Sequence, residues 1–399
     1  MRIIINLMLS VLIPFIAYII AAHLGVKPKR YRLIAALIAL SYPAVIANST
    51  MDFGESFGFI FPLVVAFIML FTMNLKQDGK NLRLRRLLSV LLGVVLAAGI
   101  DVYVRMVMVS VAAFFAILFA RFFRKKRIFC LIPFFVSLIC TTAVVLILGN
   151  VEIMLPTVEG ASAVTYGNTA RDLTNLICGH LFYFTVSTWG AGILGLCILI
   201  KRFRENGSSA FISMFAFLLL FFNMAVSVIS KYGTDFEQSQ EILIYGKYMD
   251  GVIPLILVSV FCYVYNSFEN ATSQKSQNDS EPQLELRMLL TSIIVLGLIF
   301  TAFFISPAEI IVKTEKLDVS AVPGLYPLRI GAGIDSLITI DTLFLSVSAV
   351  FSLMALFIVF ISCAGRYRYR IIAWSVATIA LYSLIYTSVL YVPFIMRST

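Results

Sequence analysis

The chain has 399 residues, of which 60% are hydrophobic and only 13% charged, with a mean hydropathy of +0.97. Soluble globular chains average about half apolar and a quarter charged, so this composition excludes an ordinary soluble enzyme. The net charge of +10 comes from short basic clusters between apolar runs, which argues against a nucleic-acid-binding tract and fits the way membrane topology is set.

Taken in chain order, apolar runs of about 20 residues recur from end to end, each long enough for a hydrocarbon core of about 30 Å. They predict an all-α polytopic membrane protein, a single transmembrane domain over residues 1–399. Ten full spans are expected near 3–22, 32–48, 56–74, 128–149, 181–200, 209–230, 251–266, 288–306, 337–360 and 371–393. The alternation of a β-barrel is absent. The first run, 3–22, is expected to be a span and not a cleaved signal.

Residues 87–120 lie between two basic clusters, LKQDGKNLRLRR and RFFRKKR, both expected on the cytoplasmic side. The chain must go out and return within them, which allows two helices of about 25 Å at 1.5 Å per residue. The turn is expected near GIDVYVRM, residues 99–106. With this topology the cytoplasmic segments carry 22 Lys or Arg and the outer segments 9, a bias that sets the orientation. It also puts the N-terminus outside, as expected of a chain whose upstream spans have been lost. The outer side then holds the acidic mouth 49–55 and loops 150–179, 231–250 and 306–336, while a polar, mobile linker is expected over 267–287 in the cytoplasm. The six cysteines, Cys130, Cys140, Cys178, Cys197, Cys262 and Cys363, form no C-x-x-C pair and read as small core residues.

Several side chains at the outer mouths can carry chemistry. Asp52 and Glu55, in SYPAVIANSTMDFGESFGF, share a face of a helix that begins near Ser49, with Asn48 one and two turns back. They act either as first-turn acids on the positive end of the helix dipole or as functional carboxylates beside lipid. Asp101 and Arg105 sit at the hairpin tip, where Arg105 either pairs with Asp101 at i,i+4 or holds a lipid phosphate with its planar fork. Tyr245, Lys247, Tyr248 and Asp250 crowd one helix mouth, either as interface anchors or as a seat for an anionic headgroup. His180 ends the loop 150–179 near Arg171 and Asp172, as a core histidine or as a base, and His23 reads as an anchor. WGAGILG offers Gly190, Gly192 and Gly195 in G-x-G-x-x-G spacing, but inside a span and with no strand before it, so close helix packing is expected there. Asn223, mid-span, is expected to donate an interhelical hydrogen bond, and Asp341 is a weaker intramembrane candidate.

From about residue 20 to 265 the order of these features resembles the membrane-embedded GT-C glycosyltransferases, especially bacterial ones. LIALSYPAVIANSTMDFGESFGFIFPLVVAFIML is similar to their "LYPA…S…SE…YPL" segment, with Glu55 matching its acid. LLSVLLGVVLAAGIDVYVRMVMVSVAAFFAIL resembles their short hairpin with a basic tip, matched by Arg105. GHLFYFTVSTWGAGILGLCILI looks like the span after their outer loop, and YGKYMD like their Y-G-R-Y segment, with Lys247 in place of Arg. The resemblance implies transfer of a sugar from a polyprenyl-phosphate donor on the outer side of the membrane. Basic side chains would hold the lipid phosphate and a carboxylate would activate the acceptor hydroxyl; many members use a divalent metal. The family's first outer loop, with its acidic pair, has no counterpart, since MRIIINLMLSVLIPFIAYII contains no acid. The chain is therefore expected to be a shortened, inactive member, or to receive the missing part from a partner subunit, or to use Asp52 or Glu55 as the base. The alternatives are a transporter or lipid flippase and a non-catalytic membrane scaffold subunit.

Overall fold

The computed structural model describes residues 2–48, 53–75, 81–122, 129–148, 170–203, 207–232, 243–244, 246–274, 283–305, 307–308, 353 and 368–386. Among these the chain is helical with no strand. Four helical stretches, Ile5–His23, Ser56–Asn74, Ser208–Lys231 and Tyr248–Ser267, are long and apolar enough to cross a membrane. Helices suit such sequences because they bond every backbone N–H and C=O within the segment. The helices turn large apolar side chains outward, among them Val11 at 69%, Ile132 at 79% and Ile229 at 72% exposure. Outward faces of this kind fit an apolar surrounding and not water.

Helix α1 (Arg2–His23) packs against α2 (Lys29–Leu40) and α4 (Phe53–Asn74). The run predicted as one span over 32–48 is divided: α2 stops at Leu40 and α3 (Pro43–Asn48) starts afresh. Pro43 explains the division, because it lacks an N–H and disfavours helical geometry at Tyr42 before it. The hairpin forms at the expected place, although its first helix starts at Leu82, within the first basic cluster, and at 21 residues exceeds the expected length. Helix α5 (Leu82–Val102) runs out, a 3₁₀ turn (Val104–Met106) reverses the chain, and α6 (Val107–Phe122) runs back. Helix α7 (Leu131–Leu148) lies along α5.

The span predicted at 181–200 is not continuous. Helix α8 (Ala170–Ser187) and α9 (Ala191–Arg202) meet at an elbow of 101°. Trp189 (φ 54°) and Gly190 (φ 77°) both adopt left-handed backbone there, a geometry glycine accepts freely and tryptophan does not. The Gly190 N–H donates to the Thr185 carbonyl at 2.8 Å, closing α8, and the Thr188 hydroxyl accepts from the Gly192 N–H at 2.9 Å, opening α9. The last ten residues of the predicted outer loop 150–179 belong to α8, so the loop is shorter than expected.

Helix α10 (Ser208–Lys231) packs on α6. The short α11 (Lys247–Asp250) leads into α12 (Ile253–Gln274), which packs on α9 and α2. On α9, Gly195 gives the close approach expected of it, since a Cβ there would lie 2.9 Å from Ile256 and Val260 of α12. The predicted linker 267–287 is helical at both ends, taken up by α12 and by α13 (Gln283–Ile305). Phe182 of α8 stacks on Phe303 of α13 at 3.7 Å. Helix α14 (Arg368–Tyr386) packs on α2. The predicted span 337–360, except Leu353, and with it Asp341, lies outside the described residues, as does Cys363.

Candidate functional site

The four sequence segments singled out above come together. Helix α11 and the residues around it form the meeting point. Asp250 is 2% exposed and its Oδ1 accepts from the Tyr42 hydroxyl at 2.5 Å and from the Tyr183 hydroxyl at 2.8 Å. Tyr42 ends the α2–α3 break and Tyr183 lies one turn before the end of α8, so one carboxylate joins three chain-distant elements. Removing one partner of such a buried hydrogen bond is costly, because the groups left behind stay desolvated without it.

Two residues before Asp250, Tyr248 turns to the hairpin tip. The Arg105 guanidinium stands 4.3 Å from the centre of the Tyr248 ring and 5.3 Å from that of Tyr103. A guanidinium is attracted to aromatic faces while its N–H edge keeps its directional donors. The stack is possible because α4 and α11 approach closely. A Cβ on Gly251 would lie 2.6 Å from the Gly58 carbonyl oxygen, so only glycine fits. Pro62, four residues beyond Gly58, has no N–H to give that carbonyl, which leaves its oxygen turned to Gly251. A small cavity of about 30 Å³ results, walled by Gly58, Pro62, Tyr103, Arg105, Asn223 and Tyr248. A water needs roughly 10–15 Å³ on this scale, so the space suits one small polar group and not a whole sugar ring.

The remaining predicted site residues fall as follows. Glu55 lies in the first turn of α4, three residues before Gly58, and Lys247 opens α11, one residue before Tyr248; their side chains are outside the described set. Asp52 and Tyr245 lie outside the described residues altogether, and so do Ser49 and Thr50, the expected helix caps. Asp101 is exposed, and its predicted pairing with Arg105 does not form among the described residues. Helix α5 ends at Val102, which removes the i,i+4 spacing that the pairing required.

His180 is fully buried between helices, away from the cavity. Its Nδ1 lies 2.8 Å from the Leu176 carbonyl, which can only accept, so Nδ1 carries the proton. Its Nε2 lies 2.6 Å from the Ser227 hydroxyl and accepts from it, tying α8 to α10. His23 accepts from the Asn74 amide at 3.2 Å and packs beside Phe67 and Phe71, joining the ends of α1 and α4. Tyr42, Tyr103 and Tyr183 were not picked out from the sequence; Tyr42 carried the one available signal, an aromatic hydroxyl immediately before a helix-breaking proline.

A second cavity, about 170 Å³ and almost wholly apolar, lies inside the elbow, walled by Ile38, Tyr42, Trp189, Leu194, Phe261 and Ala380. Among the described residues no group of three His, Cys, Asp or Glu gathers that could hold a metal. Comparison with known protein families, with characterised proteins and with solved structures finds no match to this chain.

Proposed function

We propose that the chain is an integral membrane glycosyltransferase of the GT-C kind, acting at the outer face of a bacterial cytoplasmic membrane. It would move a sugar from a polyprenyl-phosphate donor to a cell-envelope acceptor. The observation that carries this reading is the Arg105–Tyr248 stack at 4.3 Å, which unites the hairpin tip with the YGKYMD segment beside the first turns of α4. Arg105 neutralises the phosphate, with Lys247 supplied from the adjacent turn. Glu55, from one turn before Gly58, takes the proton of the acceptor hydroxyl. The acceptor oxygen then bonds to the anomeric carbon, and the bond from that carbon to the phosphate oxygen breaks, the electron pair leaving with the phosphate.

The test is transfer by purified protein from radiolabelled polyprenyl-phosphate hexose, pentose and aminohexose donors. Labelled product is expected with one donor class, and Arg105→Gln should lower kcat/KM by about a hundredfold. Absence of transfer from all three classes sinks the enzymatic reading. The elbow between α8 and α9 favours a second reading, because discontinuous helices of this kind line the substrate sites of transporters. Uptake into proteoliposomes that persists in the Arg105→Gln variant would favour transport.

A further inference from the structure

Asn223 lies two-thirds of the way along α10, within an otherwise apolar stretch, LLFFNMAVS. An amide in such a helix is expected to bond a neighbouring helix, because an unmet polar group in apolar surroundings is unfavourable. The structure departs from that expectation. Asn223 is only 8% exposed, and its side-chain amide has no hydrogen-bond partner among the described residues. The amide lies on the wall of the 30 Å³ cavity that also holds Arg105 and Tyr248. Elsewhere on nearby helices buried polar side chains bond across elements: both His180 nitrogens to Ser227 and Leu176, and Asp250 Oδ1 to two tyrosines.

We propose that Asn223 is a ligand-binding residue: its side-chain N–H groups donate to the same phosphoryl oxyanion that Arg105 holds. This rests on the reading of Arg105 as the phosphate-binding residue. The chemistry of the two side chains is complementary. Arg105 supplies charge and a planar donor edge, while Asn223 supplies an uncharged donor from the opposite helix. Together they approach an oxyanion from two elements, α10 and the hairpin tip, and the size of the cavity restricts the group to about one phosphoryl. Dry surroundings strengthen both bonds relative to water. The bound oxyanion would complete the hydrogen bonding of this amide.

The test uses the full-length protein in detergent and hexadecyl phosphate as the probe, with hexadecanol as the neutral control and inorganic phosphate as competitor. Binding is read by calorimetry and thermal stability by the unfolding midpoint. Wild type should bind hexadecyl phosphate in preference to hexadecanol. Asn223→Leu, close in volume, should weaken that binding by about tenfold or more while leaving the midpoint unchanged or raised. Asn223→Ala checks the same loss without crowding the cavity. Competition by inorganic phosphate assigns the site to the phosphoryl group alone; failure to compete assigns it to the lipid-linked phosphate, and both keep the oxyanion class.

If Arg105→Gln loses binding but both Asn223 variants keep it, the role of Asn223 is overturned and the reading of Arg105 stands. A wild type that fails to distinguish hexadecyl phosphate from hexadecanol overturns both. A lowered midpoint in Asn223→Leu with binding intact marks a purely structural amide and also overturns the inference.

Discussion

Two buried polar regions of this molecule lie side by side and are built on opposite plans. Around α8 and α11, polar side chains bond one another from helix to helix: Asp250 Oδ1 to Tyr42 and Tyr183, His180 to Ser227. At the hairpin tip, Asn223 lies beside a gap with no partner among the described residues, and Arg105 lies against aromatic faces. The first plan fastens helices together, because each bond is completed by the fold itself. The second sets the Asn223 amide on the wall of a space of the right size for a small group. Bonding between helices, more than polarity, separates the scaffold from the candidate site.

The comparison breaks most visibly at Asp250. Asp250→Ala removes the carboxylate shared by two buried tyrosine hydroxyls and is expected to cost about 3–5 kcal/mol, read as a large fall in the unfolding midpoint. If the midpoint holds, the carboxylate is not a fastener. Tyr183→Phe removes one bond to a charged group and should cost about 1.5–3 kcal/mol by the same measurement. Ser227→Ala leaves His180 Nε2 without its donor; a loss of about 1–3 kcal/mol is expected, with hexadecyl phosphate binding untouched. Gly190→Ala forces a Cβ into left-handed backbone at φ 77°, and about 1–2 kcal/mol should be lost in the same assay. A phosphate-binding defect in any of these variants that exceeds its loss of stability would blur the distinction between the two regions.

Much of the fold was legible before any coordinates. The hairpin could be read because two basic clusters fixed both its ends, leaving too few residues for two full spans. Arg105 and Tyr248 could be nominated as charges and rings at helix mouths, although nothing in their spacing said that they touch. The elbow was not legible, since WGAGILG is apolar throughout and glycine signals close packing as readily as a bend. The division before Pro43 carried a signal, the proline itself, yet the apolar run continued across it. Asn223 was read as an interhelical donor, because sequence alone does not reveal whether an amide faces a neighbour or a void. The Asp101–Arg105 pairing failed for a local reason: helical spacing was assumed one turn past the true helix end.

The elbow also equips the molecule with a built-in optical probe. The chain has two tryptophans, and they differ sharply in setting: Trp374 is 68% exposed on α14, whereas Trp189 walls the apolar chamber inside the bend. Replacing Trp374 with phenylalanine leaves a single indole whose emission wavelength follows the polarity and occupancy of that chamber. Straightening of the bend, or entry of a brominated acyl chain, would then be recorded as a colour change or a quench, without any label being attached.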